Sequence, residues 1–373
     1  MQEEHIDIMV VGIGSEYTYL TGEYDYDGHQ IMREWGDWVD CLIFSIDHDP
    51  VAIDHELDIN RGVFAPDYPF EERFILPLDD PNPINIFKKA LSKFNPEGKT
   101  IAVPKLTWSE TTIAILQAFP TAKVVAIRDD VFDRARMVKD EYEIYCMREA
   151  GRITVEALEA VAKNIKSGIS VWDVRAELSY QMICRKVDGT VQFGGVGCVN
   201  ENSDKKDKGN PNNILLPRST LFFDYGVNIK GYHTDFGRTL FVGEPHPDAV
   251  IPYKIITGIV QDVTKHLADG KITPAEMFHL GNNTAKKTGY YEGYGYYQWS
   301  IGHGIGTEIH EWPWLRDPHP SAYVPVKAGM IFAVEPKINK FGQFYVRCED
   351  ELLVGKETGE NLTPFTYDPV IIE

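Results

Sequence analysis

The first 135 residues alternate short apolar runs with amphipathic stretches. Runs of four to eight mostly apolar residues are typical of buried strands. These runs lie at 6–13, 40–46, 50–53, 100–105 and 122–127. Residues 83–94 and 109–119 instead have apolar positions at helical spacing, and the acidic, proline-rich stretch 75–86 is predicted to be a loop. The alternation of strands and helices predicts an α/β domain with a mixed sheet over residues 1–135.

The pattern becomes helical after Asp140, and residues 136–373 are predicted to form a second, α+β domain. Four amphipathic helices are expected, followed in each half by a hairpin. The helices are predicted at 140–168, 170–189, 247–270 and 273–289, and the hairpins at 221–242 and 330–354. The order of two helices and a hairpin therefore occurs twice, in 140–242 and 247–354, which suggests pseudo-twofold symmetry.

Each predicted hairpin carries two carboxylates at positions that favour a facing pair. Asp224 and Asp235 are opposite each other if the turn centres between Ile229 and Lys230, and Glu335 and Glu349 are opposite if it centres on Gly342. Opposed residues share one face of the hairpin, with Cβ atoms about 5 Å apart. Two carboxylates at that distance repel each other, and a multivalent cation between them removes the conflict.

One histidine bracketed by glycines, His303, lies between the two hairpins in the segment GHGIGTEIHEWP. Four carboxylates and an imidazole carry too much negative charge to be buried together without a cation. Solvated acidic hairpins are the alternative, but the apolar residues before Asp224 and Glu335 favour buried strands. The pattern therefore indicates a metal centre.

Composition narrows the function classes. The chain has 373 residues, 43% hydrophobic and 25% charged, as expected for two globular domains. Its net charge of -19 argues against nucleic acid or an anionic membrane as partner. Five scattered cysteines without a CxxC pair indicate reduced thiols. We expect no signal peptide and no membrane span, and hence a cytoplasmic protein.

Several short motifs now carry a family resemblance. They are Asp224-x-Gly226, Gly231-Tyr232, Asp235 with Arg238-Thr239, GHGIG at 302–306, His310-Glu311-x-Pro313, Glu335-Pro336 and Arg347-x-Glu349-Asp350. In this order and spacing they resemble the pita-bread metallopeptidases, the group of prolidase, aminopeptidase P, methionine aminopeptidase and creatinase. The preceding domain, with TYLTG at 18–22, is similar to the N-terminal domain of the prolidase and creatinase branch. The chain looks most like an Xaa-Pro dipeptidase.

The resemblance implies two divalent metal ions held by five ligands. These are Asp224, Asp235, His303, Glu335 and Glu349. In the family pattern Asp235 and Glu349 bridge both ions, Asp224 serves one ion, and His303 with Glu335 serves the other. Manganese is the first expectation, while cobalt, zinc and iron also suit this oxygen-rich set.

Roles in peptide hydrolysis follow from the same resemblance. A water that bridges the ions would attack the peptide, and Glu335 would shuttle its proton to the leaving amine. His310 would hydrogen-bond the substrate carbonyl, with a core histidine as the alternative. Arg347 would orient Asp235, unless it belongs to an ordinary buried ion pair. The expected partners are a small peptide and a second copy of the chain in a homodimer.

Two departures concern the substrate side. Trp299 stands where the family usually has a histidine, and no proline-histidine dipeptide occurs in residues 201–220. Trp299 is expected either to form an apolar wall for the substrate or to pack in the core. Three functions therefore stay open: an Xaa-Pro exopeptidase, a metal-dependent hydrolase or lyase acting on a non-peptide small molecule, and a non-catalytic binding protein. The family's dimethylsulfoniopropionate lyases carry an aspartate where this chain has Gly226.

Overall fold

The computed structural model divides the chain into two compact units, Met1–Phe132 and Asp133–Glu373. It describes residues 1–22, 37–56, 72–188, 192–203, 209–296, 298–340 and 342–373. The boundary predicted after residue 135 falls inside the helix Asp129–Arg136, and so does the division between Phe132 and Asp133. No helix in these residues combines the length and the apolar character needed to cross a membrane.

The first unit contains a mixed sheet, as its alternating pattern predicts. Its strands are β1 Ile8–Gly12, β2 Cys41–Phe44, β3 Val51–His55, β4 Glu72–Leu76, β5 Thr100–Val103 and β6 Lys123–Ala126. Its helices are α1 Ser15–Thr21, α2 Ile84–Ser92 and α3 Ser109–Ala118, and α4 Asp129–Arg136 continues into the second unit. The spatial order is β4-β3-β2-β1-β5-β6, with β2 antiparallel to both neighbours and the other pairs parallel.

Strand β1 shows why the N-terminal runs are almost continuously apolar. Ile8 and Val10 belong to one buried cluster and Met9 and Val11 to another, so both faces of the strand are covered. Strand β4 is a correction, because it includes Ile75 and Leu76 of the predicted loop. Its first residues, Glu72 and Arg73, are polar and do not resemble a buried strand in the sequence. The segment forms a strand because it pairs in parallel with β3.

The second unit confirms the four predicted helices, with shorter ends. They are α5 Glu141–Asn164, α6 Val171–Cys184, α7 Pro247–His266 and α8 Pro274–Lys287. Asp140, Ser170 and Thr273 begin three of them with reciprocal capping boxes, in which the cap side chain accepts a backbone hydrogen bond from the third helical residue. All four predicted ranges end at a glycine, two to five residues beyond the helix ends in the structure.

The strands of the second unit form two larger sheets and two ribbons. In chain order they are β7 Gln192–Val199, β8 Thr220–Gly226, β9 Asn228–Ile229, β10 Tyr232–His233, β11 Phe236–Val242, β12 Gly302–Gly304, β13 Glu311–Trp314, β14 Ile331–Val334, β15 Lys337–Lys340, β16 Phe344–Arg347, β17 Asp350–Leu353, β18 Glu360–Asn361 and β19 Val370–Ile372. One sheet has the order β19-β11-β8-β7 and the other β13-β12-β14-β17-β18. The ribbons are β9/β10 and β15/β16.

Each half packs two helices on its own hairpin. Helices α5 and α6 share a core with β8 and β11, and α7 and α8 share another with β14 and β16. The repeated order of two helices and a hairpin is therefore present in the structure.

The two hairpin registers agree with the predictions to different degrees. In the second hairpin, Lys337 pairs with Arg347 and Val334 with Asp350, so the predicted opposition of Glu335 and Glu349 is confirmed. In the first, Asp224 pairs with Gly237 and not with Asp235. That prediction was wrong, because the centre of the turn lies one residue later than predicted, between Lys230 and Gly231, which both have left-handed backbone conformations. The shift of two positions leaves the alternating faces of the strands unchanged.

Candidate metal centre

A backbone bridge between the halves brings their carboxylates together. Glu349 N–H donates to Gly237 O at 2.8 Å, and Gly237 N–H donates back at 3.3 Å. Asp224, Gly237 and Glu349 consequently lie side by side on three adjacent strand segments. A Cβ at Gly237 would lie 2.7 Å from Arg347 Nε, so the missing side chain leaves space for the guanidinium.

His303 lies in the middle strand of a closely packed set. A Cβ on Gly302 would overlap Ala333 O, and one on Gly304 would overlap Trp312 O, so only glycine fits on either side of the histidine. The His303 ring forms a hydrogen bond between Nδ1 and Gly304 O at 3.0 Å. With Nδ1–H as the donor, Nε2 keeps its lone pair for a metal ion.

Four of the five predicted ligands lie in two groups that share Asp235. Glu335 lies in neither group, and the second group also contains His310, which was not predicted as a ligand. In one group, ligand atoms of Asp224, Asp235 and Glu349 lie within 4.8 Å of one another. In the other, atoms of Asp235, His303 and His310 meet the same limit. A carboxylate common to two such groups is what a pair of adjacent metal ions requires.

Two buried polar atoms with no hydrogen-bond partner among the described residues indicate that these groups fit a metal. His303 Nε2 and Glu349 Oε1 are both buried and accept no hydrogen bond from the described residues. Burial lowers the pKa of His303 to about 4, so its imidazole is neutral near pH 7. Neutral imidazole with several carboxylates is a suitable donor set for a divalent transition metal.

Burial also opposes negative charge on two of the carboxylates. It raises the pKa of Asp235 to about 8, with the nearby Asp224 carboxylate adding to the shift. Burial likewise raises the pKa of Glu349 well above its usual range. For Glu335, burial would raise the pKa, but Arg347 and Lys337 outweigh it and lower the pKa to about 2.

Arg347 contacts three predicted ligands, although not the one expected. Its guanidinium forms hydrogen bonds with Asp224, Glu335 and Glu349, whereas none to Asp235 is present among the described residues. The expectation that Arg347 orients Asp235 is thus corrected. Asp235 is held through its backbone instead, because its N–H donates to the buried carboxylate of Glu351 at 2.8 Å.

Lys337 is a charged group at the centre that the sequence analysis missed. Its Nζ donates to Glu335 Oε2 at 2.9 Å, and its side chain is 18% exposed. It pairs directly with Arg347 across the ribbon of β15 and β16. The sequence contains a signal for Lys337. It lies two residues after Glu335 and therefore on the same face of the strand, and the register that puts Glu335 opposite Glu349 also puts Lys337 opposite Arg347.

His310 is exposed at the edge of the centre. Its ring centroid lies 4.3 Å from that of His303, and its ring stacks on half-buried Trp314 at 5.8 Å with an interplanar angle of 7°. The alternative of a core histidine is excluded by this exposure. Trp314 is a neighbour of both histidines that the sequence analysis did not single out.

A second buried ion cluster holds the loop that carries His310. The carboxylate of Glu311 has no exposed surface and lies 3.1 Å from Lys139 Nζ and 3.5 Å from Arg136 Nε. It also accepts hydrogen bonds from Glu308 N–H at 3.0 Å and from the Thr307 hydroxyl at 3.4 Å. These bonds fasten the loop between His303 and His310.

Trp299 does not pack in the core, because 79% of its surface is exposed. Nearby Tyr296 is buried, whereas Tyr297 lies outside the described residues. The upstream segment without a histidine is described except for residues 204–208. That this upstream segment lies on the substrate side of the centre stays a prediction.

The sequence profile of metallopeptidase family M24 matches residues 145–356. The chain belongs to this family. Members of this family are hydrolases that use divalent metal ions, and this M24 protein is therefore a hydrolase. The matched residues include all five predicted ligands.

Relatives and solved structures extend the comparison beyond the catalytic unit. The M24 chain is similar to an Xaa-Pro dipeptidase of Lactobacillus helveticus, with 24% identity over 379 residues, covering 100% of this chain and 96% of the relative. It is 25% identical over 295 residues to the putative dipeptidase YkvY of Bacillus subtilis (strain 168), covering 79% of each. A dipeptidase from Pyrococcus horikoshii OT3 superposes with a TM-score of 0.85 at 22% identity, covering 100% and 97% of the two chains. An X-Pro aminopeptidase from Thermotoga maritima MSB8 gives a TM-score of 0.81 at 22% identity and 98% coverage of both. The predicted pita-bread fold is confirmed.

Proposed function

We propose that this M24 metallopeptidase is an exopeptidase that hydrolyses short peptides at an Xaa-Pro bond. The observation that carries the proposal is the shared position of Asp235 in two groups of ligand atoms. Full-length similarity to an Xaa-Pro dipeptidase supports the substrate class. The proposed ligands of two divalent ions are Asp224, Asp235, His303, Glu335 and Glu349.

The bound ions would supply an activated water and a positive field for the oxyanion of the transition state. Glu335 is available to accept a proton, because its carboxylate is ionised and its side chain is 12% exposed. The pKa lowered by Arg347 and Lys337 makes it a weak base, which would pass the proton on readily to the leaving amine. His310 is exposed beside His303 and is suited to donate a hydrogen bond to the substrate carbonyl oxygen.

A second function, hydrolysis of a non-peptide small molecule, is favoured by one feature. Exposed Trp299 stands in place of the histidine that the resemblance leads us to expect. The lyase variant is not supported, because a Cβ at Gly226 would overlap Thr234 O and leave no room for an aspartate.

The test uses metal-stripped protein reloaded separately with Mn²⁺, Co²⁺, Zn²⁺ or Fe²⁺. Substrates are Ala-Pro, a longer Ala-Pro peptide and, as the matched control, Ala-Ala. Hydrolysis of Ala-Pro alone would identify a dipeptidase, and hydrolysis of both proline peptides an aminopeptidase. Equal turnover of Ala-Ala would contradict proline selectivity. A protein that binds two ions and turns over none of these peptides would refute the proposal.

We also propose a homodimer, which the family resemblance implies. Light scattering after size-exclusion chromatography should give twice the 42.3 kDa chain mass. A mass of one chain at working concentration would contradict it.

A further inference from the structure

The backbone next to His310 is fixed, whereas its ring makes no hydrogen bond with any described residue. Glu311 anchors the backbone of this loop through Lys139 and Arg136. The imidazole itself is exposed, and in the described part of the chain it contacts two other rings. A histidine side chain can turn about its two side-chain torsions unless something holds it. The orientation of the His310 ring therefore depends on those ring contacts.

One of these rings, the indole of Trp314, lies almost parallel to the imidazole. The two ring planes differ by 7°, and their centroids are 5.8 Å apart. This is an offset stack, which aromatic pairs prefer at centroid distances of about 4.5–7 Å. The other ring, that of His303, is 4.3 Å away and inclined at 62°. Rotation of the His310 ring would break the parallel contact with Trp314.

Trp314 is itself held in place. It lies opposite His303 in the register of β12 and β13, so the two side chains share one face of the sheet. Its backbone N–H donates to the hydroxyl of fully buried Ser321 at 3.0 Å. The indole is half-buried, and the guanidinium of Arg316 lies 5.8 Å from its centroid. A ring fixed in this way can support an exposed one.

The stacked orientation directs the imidazole towards the metal centre. One ring nitrogen of His310 and ligand atoms of Asp235 and His303 lie within 4.8 Å of one another. The nitrogens of a stacked imidazole are on its edge, so they stay available while its face is covered. The stack therefore fixes the ring without using the atoms that a hydrogen bond to a carbonyl oxygen needs.

We infer that Trp314 is a positioning residue, which holds His310 with a ring nitrogen directed at the metal centre. Trp314 acts through His310 and needs no contact with the substrate. The inference rests on the proposed function in one respect, since the hydrogen bond from His310 to the substrate carbonyl is taken from there. The orientation of the ring is a property of the folded chain and is measured without substrate.

The first experiment measures how rigid the His310 ring is, by nuclear magnetic relaxation of the full chain with carbon-labelled histidine rings. Zn²⁺ is the added metal because it is diamagnetic, and His310→Gln identifies the His310 signals. The order parameter of the ring C–H bond should be about 0.85 in the unaltered chain and fall to about 0.6 or below in Trp314→Leu. Trp314→Phe keeps a stacking ring and should keep the higher value. Trp314→Met is a second variant, in case Trp314→Leu does not fold by circular dichroism.

The second experiment is a double-mutant cycle on the hydrolysis of Ala-Pro. Trp314→Leu should lower kcat/KM about two- to tenfold, the range expected for the loss of one aromatic pair. In the His310→Gln background the same substitution should have no further effect, because Trp314 acts through His310. Bound Zn²⁺ should be equal in all these variants.

Trp172→Leu is the matched control. Trp172 is an exposed residue on α6, and its ring also has an arginine guanidinium, that of Arg175, at 5.8 Å. The substitution removes an equivalent indole from a helix that carries no predicted ligand. It should change neither the order parameter of His310 nor kcat/KM.

A His310 ring that stays rigid in both Trp314→Leu and Trp314→Met would overturn the inference. An equally large loss of kcat/KM from Trp314→Leu in the His310→Gln background would also overturn it, because Trp314 would then not act through His310. If the unaltered chain turns over no peptide, the proposed function is refuted, and the relaxation measurement still decides the inference. Normal hydrolysis of Ala-Pro by a chain whose His310 ring stays rigid without Trp314 refutes the inference alone.

Discussion

Two buried charge clusters lie at the two ends of the segment from His303 to Glu311. They differ in how the negative charge of their buried carboxylates is neutralised. Around Glu311, the protein supplies its own cations, since Lys139 and Arg136 are within ion-pair distance and nearly fully buried. In the metal centre, four carboxylates face two cations, and His303 Nε2 and Glu349 Oε1 have no hydrogen-bond partner among the described residues. A structural cluster is complete by itself, whereas the centre is complete only with added cations.

The largest effect is expected when the ligand common to both groups is removed. Asp235→Asn should lose both ions and reduce kcat/KM on Ala-Pro about a thousandfold or more, because metal stabilisation of the transition state contributes several kcal/mol. Metal content and initial rates measure it. Asp262→Asn, on the surface beside Lys265, is the matched control and should change neither. If Asp235→Asn still bound two ions tightly, Asp235 would not be the bridging ligand.

Breaking the complete cluster should affect stability and not metal content. Glu311→Gln leaves Lys139 and Arg136 buried near a neutral amide, which should lower the free energy of unfolding by about 3 kcal/mol. Urea denaturation measures the loss. Glu156→Gln breaks an exposed pair with Arg152 and should cost about 0.5 kcal/mol or less. If Glu311→Gln lost its metal ions at unchanged stability, the contrast between the clusters would be wrong.

Filling the incomplete cluster should stabilise the fold. Mn²⁺ at about a hundred times its Kd should raise the free energy of unfolding by about 2.7 kcal/mol, because it binds the folded chain and not the unfolded one. Thermal denaturation with and without the ion measures this. The same addition should leave Asp235→Asn unchanged, and equal stabilisation of both chains would indicate binding elsewhere.

The smallest effect is a pH dependence confined to the metal centre. Without metal, the folded-state pKa of Asp235 is about 8, above its ordinary value of 3.8, so its stabilising contribution is complete below about 4 and is lost as the pH rises through about 8. Metal-stripped protein should therefore be less stable at pH 8 than at pH 6, and Asp235→Asn should reduce this difference to the part that the raised pKa of Glu349 contributes. Proton release on Mn²⁺ binding, measured in buffers of different ionisation enthalpy, should be larger at pH 7 than at pH 9. A metal-stripped chain that gains stability through Asp235 between pH 6 and 8 would contradict the assignment.

Much of the centre was predictable because strand side chains alternate with a period of two. The opposition of Glu335 and Glu349 followed from the sequence alone, and the confirmed register of β15 and β16 agrees with it. The register of the first hairpin was wrong by two positions, since the choice between turns at Ile229–Lys230 and Lys230–Gly231 depends on backbone conformation. The same rule of period two puts Lys337 on the face of Glu335, at the centre.

The sequence by itself determined the elements, the two domains' classes and the residues that could bind metal, because these depend on local periodicity and on residue chemistry. Tertiary structure decided which of these residues meet. The bridge from Gly237 to Glu349 joins segments more than a hundred residues apart, and it places Arg347 among three carboxylates instead of beside Asp235. Such contacts arise from packing between the halves, for which a linear pattern carries no distance information. The balance between the complete and incomplete charge clusters is therefore a property of the folded chain.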